Sequence, residues 1–223
     1  MAAKVDRAVL ERDGVRKAVR DSGYGHLLIS DEEVARSLKQ TMTGHRKGEP
    51  VWVFGYGSLI WNPLMEFAER RAARVHGYHR GFYVWSKVNR GSPELPGLVL
   101  GLDGGGSCHG VAYRLHTEKA ADELAILWRR EMVAGTYLPR WINAQTGAGV
   151  VRAIAFVVNR AKPGYTGRLT DERIVAIASR AAGHYGSCAD YLIQTASSLE
   201  AQGIPDSRLS RLARLVQDKK RPA

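Results

Sequence analysis

The spacing of apolar residues divides the 223-residue chain into three parts. The first part has a helical pattern, which predicts helices over about 6–20 and 31–40. Ser30 and Glu33 form the sequence signature of a capping box at the start of the second helix. The GEP stretch at 48–50 then predicts a linker.

From Val51 the pattern changes to short runs of β-branched and aromatic residues separated by glycine, proline and asparagine, which are typical of strands and turns. One helical run over about 118–134 interrupts them, with Thr117 as its expected N-cap. The DGGGS stretch at 103–107 is predicted to be a turn. The predicted strands are WVFG, YHRGFYVWS, GLVLGL, HGVAYRL and VVRAIAFVV.

The last third is helical again, with Thr170, Ser187 and Asp206 as the expected N-caps of three helices. Strands with one central helix, flanked by terminal helices, predict the α+β class with a mostly antiparallel or barrel-like sheet. We therefore divide the chain into a helical N-terminal extension, residues 1–50, and one domain, residues 51–223, that includes the C-terminal helices.

The formal net charge of +11 raises the question of nucleic-acid binding, but its distribution argues against that class. The three parts 1–50, 51–160 and 161–223 carry net charges of +2, +5 and +4, and only Lys219–Arg221 is a basic run. Nucleic-acid binders usually concentrate their charge on one face. A diffuse positive field would still attract a small anionic substrate.

The sequence carries no sign of membrane insertion or export. No apolar run reaches the roughly 18 residues of a membrane helix, and the N-terminus is charged throughout, without the apolar core of a signal peptide. Cys108 and Cys188 lie far apart and form no CxxC motif, which fits reduced thiols. The sequence thus predicts a cytoplasmic protein without membrane association, and it leaves the oligomeric state open.

The stretch VFGYGSLIW, residues 53–61, places two glycines and a serine within an apolar run. Glycine lets a ligand approach the backbone closely, and a turn after a buried strand can direct its N–H groups at an anion or a carbonyl oxygen. A β-bulge or a tight strand exit would explain the same residues. The glycines alone leave both interpretations open.

Familiar catalytic motifs do not fit the chain. The glycine stretch lacks the last glycine of the Rossmann fingerprint and the GK[ST] of a P-loop, and Ser58 does not lie in the G-x-S-x-G of a nucleophile elbow. His76 and His79 have no HExxH or Cys/His partners, so no metal site is predicted. Cys108 beside His109 is better explained as a small buried cysteine on a strand than as a nucleophile with its base.

One carboxylate continues the apolar stripe of the central helix. The stripe includes Trp128, and the next position on the same face is Glu131. Arg129 and Arg130 are expected to point elsewhere on the helix, which leaves Glu131 without an intrahelical cation. Charged residues on a core face are rare unless they are paired or functional. Glu131 is therefore either half of a buried ion pair with an arginine of another element, or a general base with a raised pKa.

A backbone turn and one carboxylate, without a serine, thiol or metal, are compatible with a substrate that carries its own nucleophile. In a γ-glutamyl amide, the α-amine can attack its own γ-carbonyl and close a five-membered lactam. A single glutamate can accept a proton from the amine and return it to the departing amine. Turn N–H groups can polarise the carbonyl.

Several segments together resemble the ChaC family of glutathione-specific γ-glutamylcyclotransferases. They are VFGYGSLIWNP, GYHRGF, PGLVLGL, GVAYRL, WRREMVAGTYLPRW and GHYGSCADYL, and the likeness extends over about residues 51–216. The resemblance implies a γ-glutamylcyclotransferase-like mixed β-barrel with helices packed around it. It also implies a cytosolic lyase that cleaves glutathione into 5-oxoproline and cysteinylglycine without a metal or organic cofactor.

The resemblance also implies site residues. Glu131 matches the catalytic glutamate of the family, and Tyr137 matches a tyrosine that contacts the substrate. The first 50 residues, and a segment between Glu131 and Tyr137 that is longer than in the shorter animal relatives, depart from the shortest family members. The loop that would bind the γ-glutamyl group, largely through its backbone, maps onto Val53, Phe54, Gly55, Tyr56, Gly57 and Ser58, with Leu59 completing the turn.

Two other functions remain open at this point. One is a cyclotransferase that acts on other γ-glutamyl amines, or that removes a γ-glutamyl protecting group. The other is a non-catalytic basic binding module, whose binding would weaken steeply with salt and would not depend on Glu131.

Overall fold

A computed structural model describes residues 5–220 and has a closed barrel of five strands at its centre. The strands follow the spatial order β1-β3-β2-β4-β5, in which neighbours are antiparallel. Parallel pairing of β1 with β5 closes the barrel. The predicted α+β class with a barrel is confirmed. The strands are β1 (Trp52–Gly55), β2 (Glu69–Ser86), β3 (Gly97–Arg114), β4 (Tyr137–Thr146) and β5 (Gly149–Val158).

The sequence analysis missed β4 and misplaced one turn. Polar residues mask the alternation of β4, although its inward positions Ile142 and Ala144 are buried. The DGGGS stretch is part of β3, where Gly105 and Gly106 adopt positive φ opposite a register shift in β2. A bulge within a long twisted hairpin, and not a chain reversal, therefore accounts for these glycines.

The helices pack around the barrel and begin largely where the capping residues predict. The Ser30 hydroxyl accepts from the Glu33 N–H, and the Glu33 carboxylate accepts from the Ser30 N–H, which confirms the capping box. The three C-terminal caps are confirmed as well, since each accepts a hydrogen bond from the N–H three residues further on: Thr170, Ser187 and Asp206.

The expected N-cap of the central helix is wrong. A 3₁₀ turn over Thr117–Lys119 precedes the helix, so that Lys119 takes the cap position without a side-chain hydrogen bond. No helix within residues 5–220 combines the length and the apolar character needed to cross a membrane. The predicted basic run ends at Arg221, outside the described residues. The helices are α1 (Arg7–Glu11), α2 (Gly14–Val19), α3 (Asp31–Met42), α4 (Ala120–Glu131), α5 (Asp171–Ala178), α6 (Cys188–Ala201) and α7 (Ser207–Lys220).

The N-terminal segment, defined here as residues 5–29, is attached to α4 and the residues just after it at three points, one of which is the exposed hydrogen bond of 3.3 Å from Arg129 to the Glu11 carbonyl. The Arg7 guanidinium donates to both carboxylate oxygens of Glu123, at 2.9 and 3.0 Å, and Glu123 is only 1% exposed. The Ile29 N–H donates to the Val133 carbonyl at 3.2 Å, just beyond the end of the helix. The segment therefore runs along α4 toward the end that carries Glu131.

Arg7→Leu is expected to destabilise the fold by about 3 kcal/mol, because it leaves the buried Glu123 carboxylate without its cation. Urea unfolding followed by circular dichroism would show this as a lower midpoint. Arg12→Leu, at an exposed position of the same segment, is the control and should change the stability by less than about 0.5 kcal/mol. Equal midpoints for the two variants would show that this ion pair does not hold the segment in place.

Candidate active site

A cavity of about 410 Å³ opens where the loop after β1 meets the end of α4. This volume lies within the roughly 300–1,000 Å³ of typical small-molecule sites. The end of β2, the start of β4 and the N-terminal segment complete the wall. Of the residues predicted for the site, six line the cavity: Tyr56, Gly57, Ser58, Leu59, Glu131 and Tyr137. The structure thus brings the glycine turn and the carboxylate to one place.

The other three predicted residues, Val53, Phe54 and Gly55, do not line the cavity. They belong to β1, and the side chains of Val53 and Phe54 are fully buried in the barrel core. Gly55 is required by packing, since a Cβ there would lie 3.0 Å from the Leu59 Cβ and 3.1 Å from the Tyr113 ring. The buried strand fixes where the turn begins without itself forming the cavity wall.

The turn after β1 presents backbone donors. Gly57 passes close to α6, because a Cβ at this position would lie 3.2 Å from the Tyr191 hydroxyl. The chain then forms one 3₁₀ turn, in which the Ile60 N–H donates to the Gly57 carbonyl at 2.9 Å. Among the described residues, the N–H groups of Gly57, Ser58 and Leu59 find no acceptor. Neighbouring free N–H groups of this kind suit an anion or a carbonyl oxygen.

Hydrogen bonds on the far side hold the turn in shape. The Tyr56 hydroxyl donates to the Phe156 carbonyl at 2.6 Å, and the Tyr56 carbonyl accepts from Arg80 at 2.8 Å. Arg80 in turn forms an ion pair of 2.8 Å with Asp206 at the start of α7. The donors of the turn are therefore fixed before any ligand binds, which is the condition under which such groups stabilise developing charge most effectively.

Glu131 is the last residue of α4, and its side chain is 14% exposed in the cavity wall. The expectation that it has no cation on its own helix is wrong, since Nε of Arg130 lies 3.0 Å from Oε1 of Glu131. Because the helix ends here, two neighbouring long side chains can fold into the same cavity. Arg130 also donates to the Ser58 hydroxyl at 2.8 Å and to the Asn62 carbonyl. One guanidinium therefore joins the carboxylate to the glycine turn.

The environment of Glu131 shifts its titration to a higher pH. Burial raises the pKa of Glu131 above its ordinary value of 4.5, and the charge of Arg130 opposes this rise. Burial also raises the pKa of Tyr56 and Tyr137 well above 10 and that of Tyr191 to about 12. These phenols stay neutral at physiological pH. Of the carboxyl and phenol groups that the described residues place in the cavity, Glu131 is therefore the one that can accept a proton and return it.

The candidate nucleophiles weighed in the sequence are held in unreactive settings. The Ser58 hydroxyl has Arg130 as its partner, with no histidine bonded to it among the described residues. Cys108 is buried in β3, where burial raises the pKa of its thiol to about 11. Its S–H group donates to the carbonyl of His109 at 3.4 Å. The buried-cysteine interpretation is supported.

Among the residues of the cavity wall that escaped the sequence analysis are Arg90, Arg130 and Tyr191. Arg130 is expected to point away from Glu131 because adjacent helical positions point in different directions, a rule that fails in the last turn. The WRRE stretch followed by a glycine two residues after Val133 could have signalled that end. Arg90 and Tyr191 carry no local signal, since only the fold brings the loop after β2 and helix α6 beside the turn.

Comparison with known proteins places the chain in a family. The sequence model of the family described as ChaC-like protein matches residues 51–219. The glutathione-specific gamma-glutamylcyclotransferase of Escherichia coli K12 is 37% identical over 95% of this chain and 93% of its own length. The human glutathione-specific gamma-glutamylcyclotransferase 1 is 32% identical over 76% of this chain and 79% of its own length.

Solved structures agree on the fold. The crystal structure of the yeast gamma-glutamyl cyclotransferase specific to glutathione superposes with a TM-score of 0.70 at 21% identity, over 77% of this chain and 97% of the yeast chain. At 21% identity this superposition shows a shared fold. Membership of the family rests on the sequence matches. The chain therefore belongs to the ChaC family of enzymes.

Proposed function

We propose that this protein is a γ-glutamylcyclotransferase that cleaves glutathione into 5-oxoproline and cysteinylglycine. Its E. coli and human relatives carry that activity in their names. The observation that carries the proposal is the position of Glu131, a buried carboxylate joined through Arg130 to a turn with free N–H groups. An intramolecular cyclisation needs these two elements and no enzyme nucleophile.

The glycine turn holds the γ-glutamyl group. The free N–H groups of Gly57, Ser58 and Leu59 bind and polarise the γ-carbonyl oxygen, on which negative charge develops when the amine attacks. Tyr137 lies in the wall of the same cavity, with its hydroxyl donating to the Leu100 carbonyl at 2.9 Å. Its ring therefore packs against the substrate in a fixed orientation.

Glu131 moves the protons. The substrate ammonium carries three hydrogens and the lactam nitrogen keeps one, so two protons must pass from the attacking to the departing nitrogen. Ionised Glu131 accepts a proton from the α-amine, whose lone pair then attacks the γ-carbon. As the amide C–N bond breaks, the same carboxyl returns this proton to the leaving nitrogen. The ring nitrogen releases its second proton after the attack, and Glu131, ionised again, passes that proton to the departing amine in the same way. The raised pKa of Glu131 makes its carboxylate a stronger base for the accepting steps.

The proposed function is tested by incubation with reduced glutathione and mass detection of the products. We expect 5-oxoproline and cysteinylglycine in equal amounts. Slower release of 5-oxoproline from γ-glutamyl-alanine than from glutathione would support preference for glutathione, whereas faster release would favour a cyclotransferase of other γ-glutamyl amines. Turnover of neither substrate would refute the proposal.

The pH profile provides an independent prediction. Protonated Glu131 cannot accept a proton, so kcat/KM should fall as the pH falls through the pKa of this group. Because burial raises that pKa above 4.5, the decline should begin at a higher pH than for an exposed glutamate. Initial rates at pH 4 to 8, with circular dichroism to confirm the fold at each pH, measure it. A profile that stays flat down to the ordinary range of a glutamate would contradict the role of Glu131.

A further inference from the structure

The cavity has an excess of positive charge that the cyclisation itself does not use. Among the described residues, Glu131 is the one acidic side chain in the wall, and Arg130 neutralises it. Lys87, Arg90 and Lys162 also line the cavity. A site with surplus cations fits a ligand that brings carboxylates of its own.

Arg90 is the cation whose surroundings are most specific. Its guanidinium lies 5.8 Å from the ring centroid of Trp61 and 5.5 Å from that of Tyr191. It donates to the Tyr185 carbonyl at 2.6 Å, and no carboxylate of the described residues lies within 4 Å to form an ion pair with it. Burial lowers the pKa of Arg90, which reflects the cost of keeping a charge there. Asp190 attracts this charge only from a longer distance, and a half-buried cation without an ion pair is a place for a ligand carboxylate.

The side chain of Asn89, the residue before Arg90, is a second indication of a ligand site. Asn89 also lines the cavity, and its buried Oδ1 has no hydrogen-bond partner among the described residues. A buried acceptor without a partner, in the residue next to Arg90, is a group for which a ligand donor is expected. The backbone of this stretch is held in place, since the Asn89 carbonyl accepts from the Tyr185 N–H at 3.1 Å.

The opposite wall comes from the N-terminal segment, which lies outside the residues matched by the family model. This wall is largely apolar and consists of Val5, Val15, Val19, Tyr24, His26 and Leu27. Leu10 and Val15 pack with Tyr185, the residue whose carbonyl holds Arg90. Lys87 bridges the two walls, with Nζ 5.7 Å from the ring centroid of Tyr24. The N-terminal segment therefore forms part of the cavity wall and, through Tyr185, supports Arg90.

We infer that this part of the cavity is a leaving-group subsite, in which Arg90 binds a free carboxylate of the departing amine and the N-terminal segment supplies the apolar wall. The inference rests on the proposed function, because the γ-glutamyl group is taken to occupy the glycine turn and Glu131. It makes Arg90 and the N-terminal segment the determinants of preference for a leaving amine that carries a free carboxylate.

Arg90→Gln tests the carboxylate contact with two substrates, glutathione and its analogue with an amidated glycine carboxylate. The parent enzyme should prefer glutathione in kcat/KM by roughly 10- to 100-fold, the value of a charge-assisted hydrogen bond. In Arg90→Gln, kcat/KM for glutathione should fall to about the value for the amidated analogue. The kcat/KM for the analogue itself should stay unchanged. Arg90→Lys, which keeps the charge, should retain part of the preference.

The alternatives give different results. An equal loss on both substrates in the Arg90 variants would place the guanidinium at the γ-glutamyl end and overturn the inference. Absence of any preference in the parent enzyme would overturn it as well. Failure of the parent enzyme on both substrates would instead refute the proposed function.

Leu27→Trp tests the wall. Leu27 is 38% exposed, so a larger side chain can be accommodated at the cavity mouth without disturbing the core. The variant should lower kcat/KM for glutathione roughly tenfold, about 1.4 kcal/mol, because the larger ring takes space from the leaving group. It should spare γ-glutamyl-methylamide, which has a minimal leaving group. Leu28→Trp, one residue outside the cavity wall, is the matched control and should affect neither substrate. Equal effects of Leu27→Trp on both substrates would contradict the assignment.

Discussion

Glu131→Gln should fold like the parent protein and lose cyclotransferase activity by roughly 100- to 10,000-fold, the usual contribution of a positioned proton-transfer group. Glutamine keeps the shape and can still accept a hydrogen bond from Arg130, which lies 3.0 Å from the carboxylate in the parent. It cannot accept the proton that frees the α-amine. Release of 5-oxoproline from glutathione measures the loss in kcat.

The control for this substitution is Glu118→Gln, an exposed carboxylate in the turn before the same helix, which should leave the rate unchanged. Thermal unfolding of both variants should show that neither loses the fold. A Glu131→Gln enzyme that works at the parental rate would mean that protons leave the amine by another route. The assignment of Glu131 as the base would then be wrong.

Arg130→Met should have the second largest effect, because this guanidinium contacts both halves of the site. It pairs with Glu131 and donates to the Ser58 hydroxyl, so its removal loosens the turn and leaves the carboxylate without its cation. We expect kcat/KM to fall roughly 10- to 100-fold, the value of a lost charge-assisted hydrogen bond.

The same variant should also move the acid limb of the pH profile. The charge of Arg130 lowers the pKa of Glu131 against the effect of burial, so without it the pKa rises further and the activity declines at a higher pH. Arg129→Met, on the adjacent exposed position, is the control and should leave both the rate and the profile as they are. If the rate falls but the acid limb of the pH profile does not move, Arg130 holds the turn and does not set the pKa of Glu131.

The strands, the barrel-like sheet and most helix starts could be predicted because they depend on local chemistry. Ser30 with Glu33, and Thr170 further on, cap helices wherever the surrounding chain lies. Where the prediction failed, tertiary pairing decided the outcome. The glycines of DGGGS adopt the conformation expected of a turn, yet pairing with β2 keeps them inside a strand.

The sequence predicts those parts of the candidate site that lie within a single strand, turn or helix. Gly57 and Ser58 follow a buried strand directly, and Glu131 continues an apolar stripe. Contacts between distant elements were out of reach. Arg90 and Glu131 lie 41 positions apart in the sequence, and they share a cavity through the closure of the barrel.

The N-terminal segment illustrates the same limit. Its helical pattern gave no functional signal, although it contributes residues such as Val19 and Leu27 to the cavity wall. The alignment with the E. coli relative covers 95% of this chain and so reaches into the segment, whereas that with the human relative covers 76%.

The most direct test of the central claim is the reaction of glutathione in water enriched in ¹⁸O. If the substrate's own α-amine attacks the γ-carbon while Glu131 accepts its proton, no water enters the product, and 5-oxoproline should carry no ¹⁸O. Formation of ¹⁸O-labelled glutamate, or of 5-oxoproline that contains the label, would show attack by water and contradict the account.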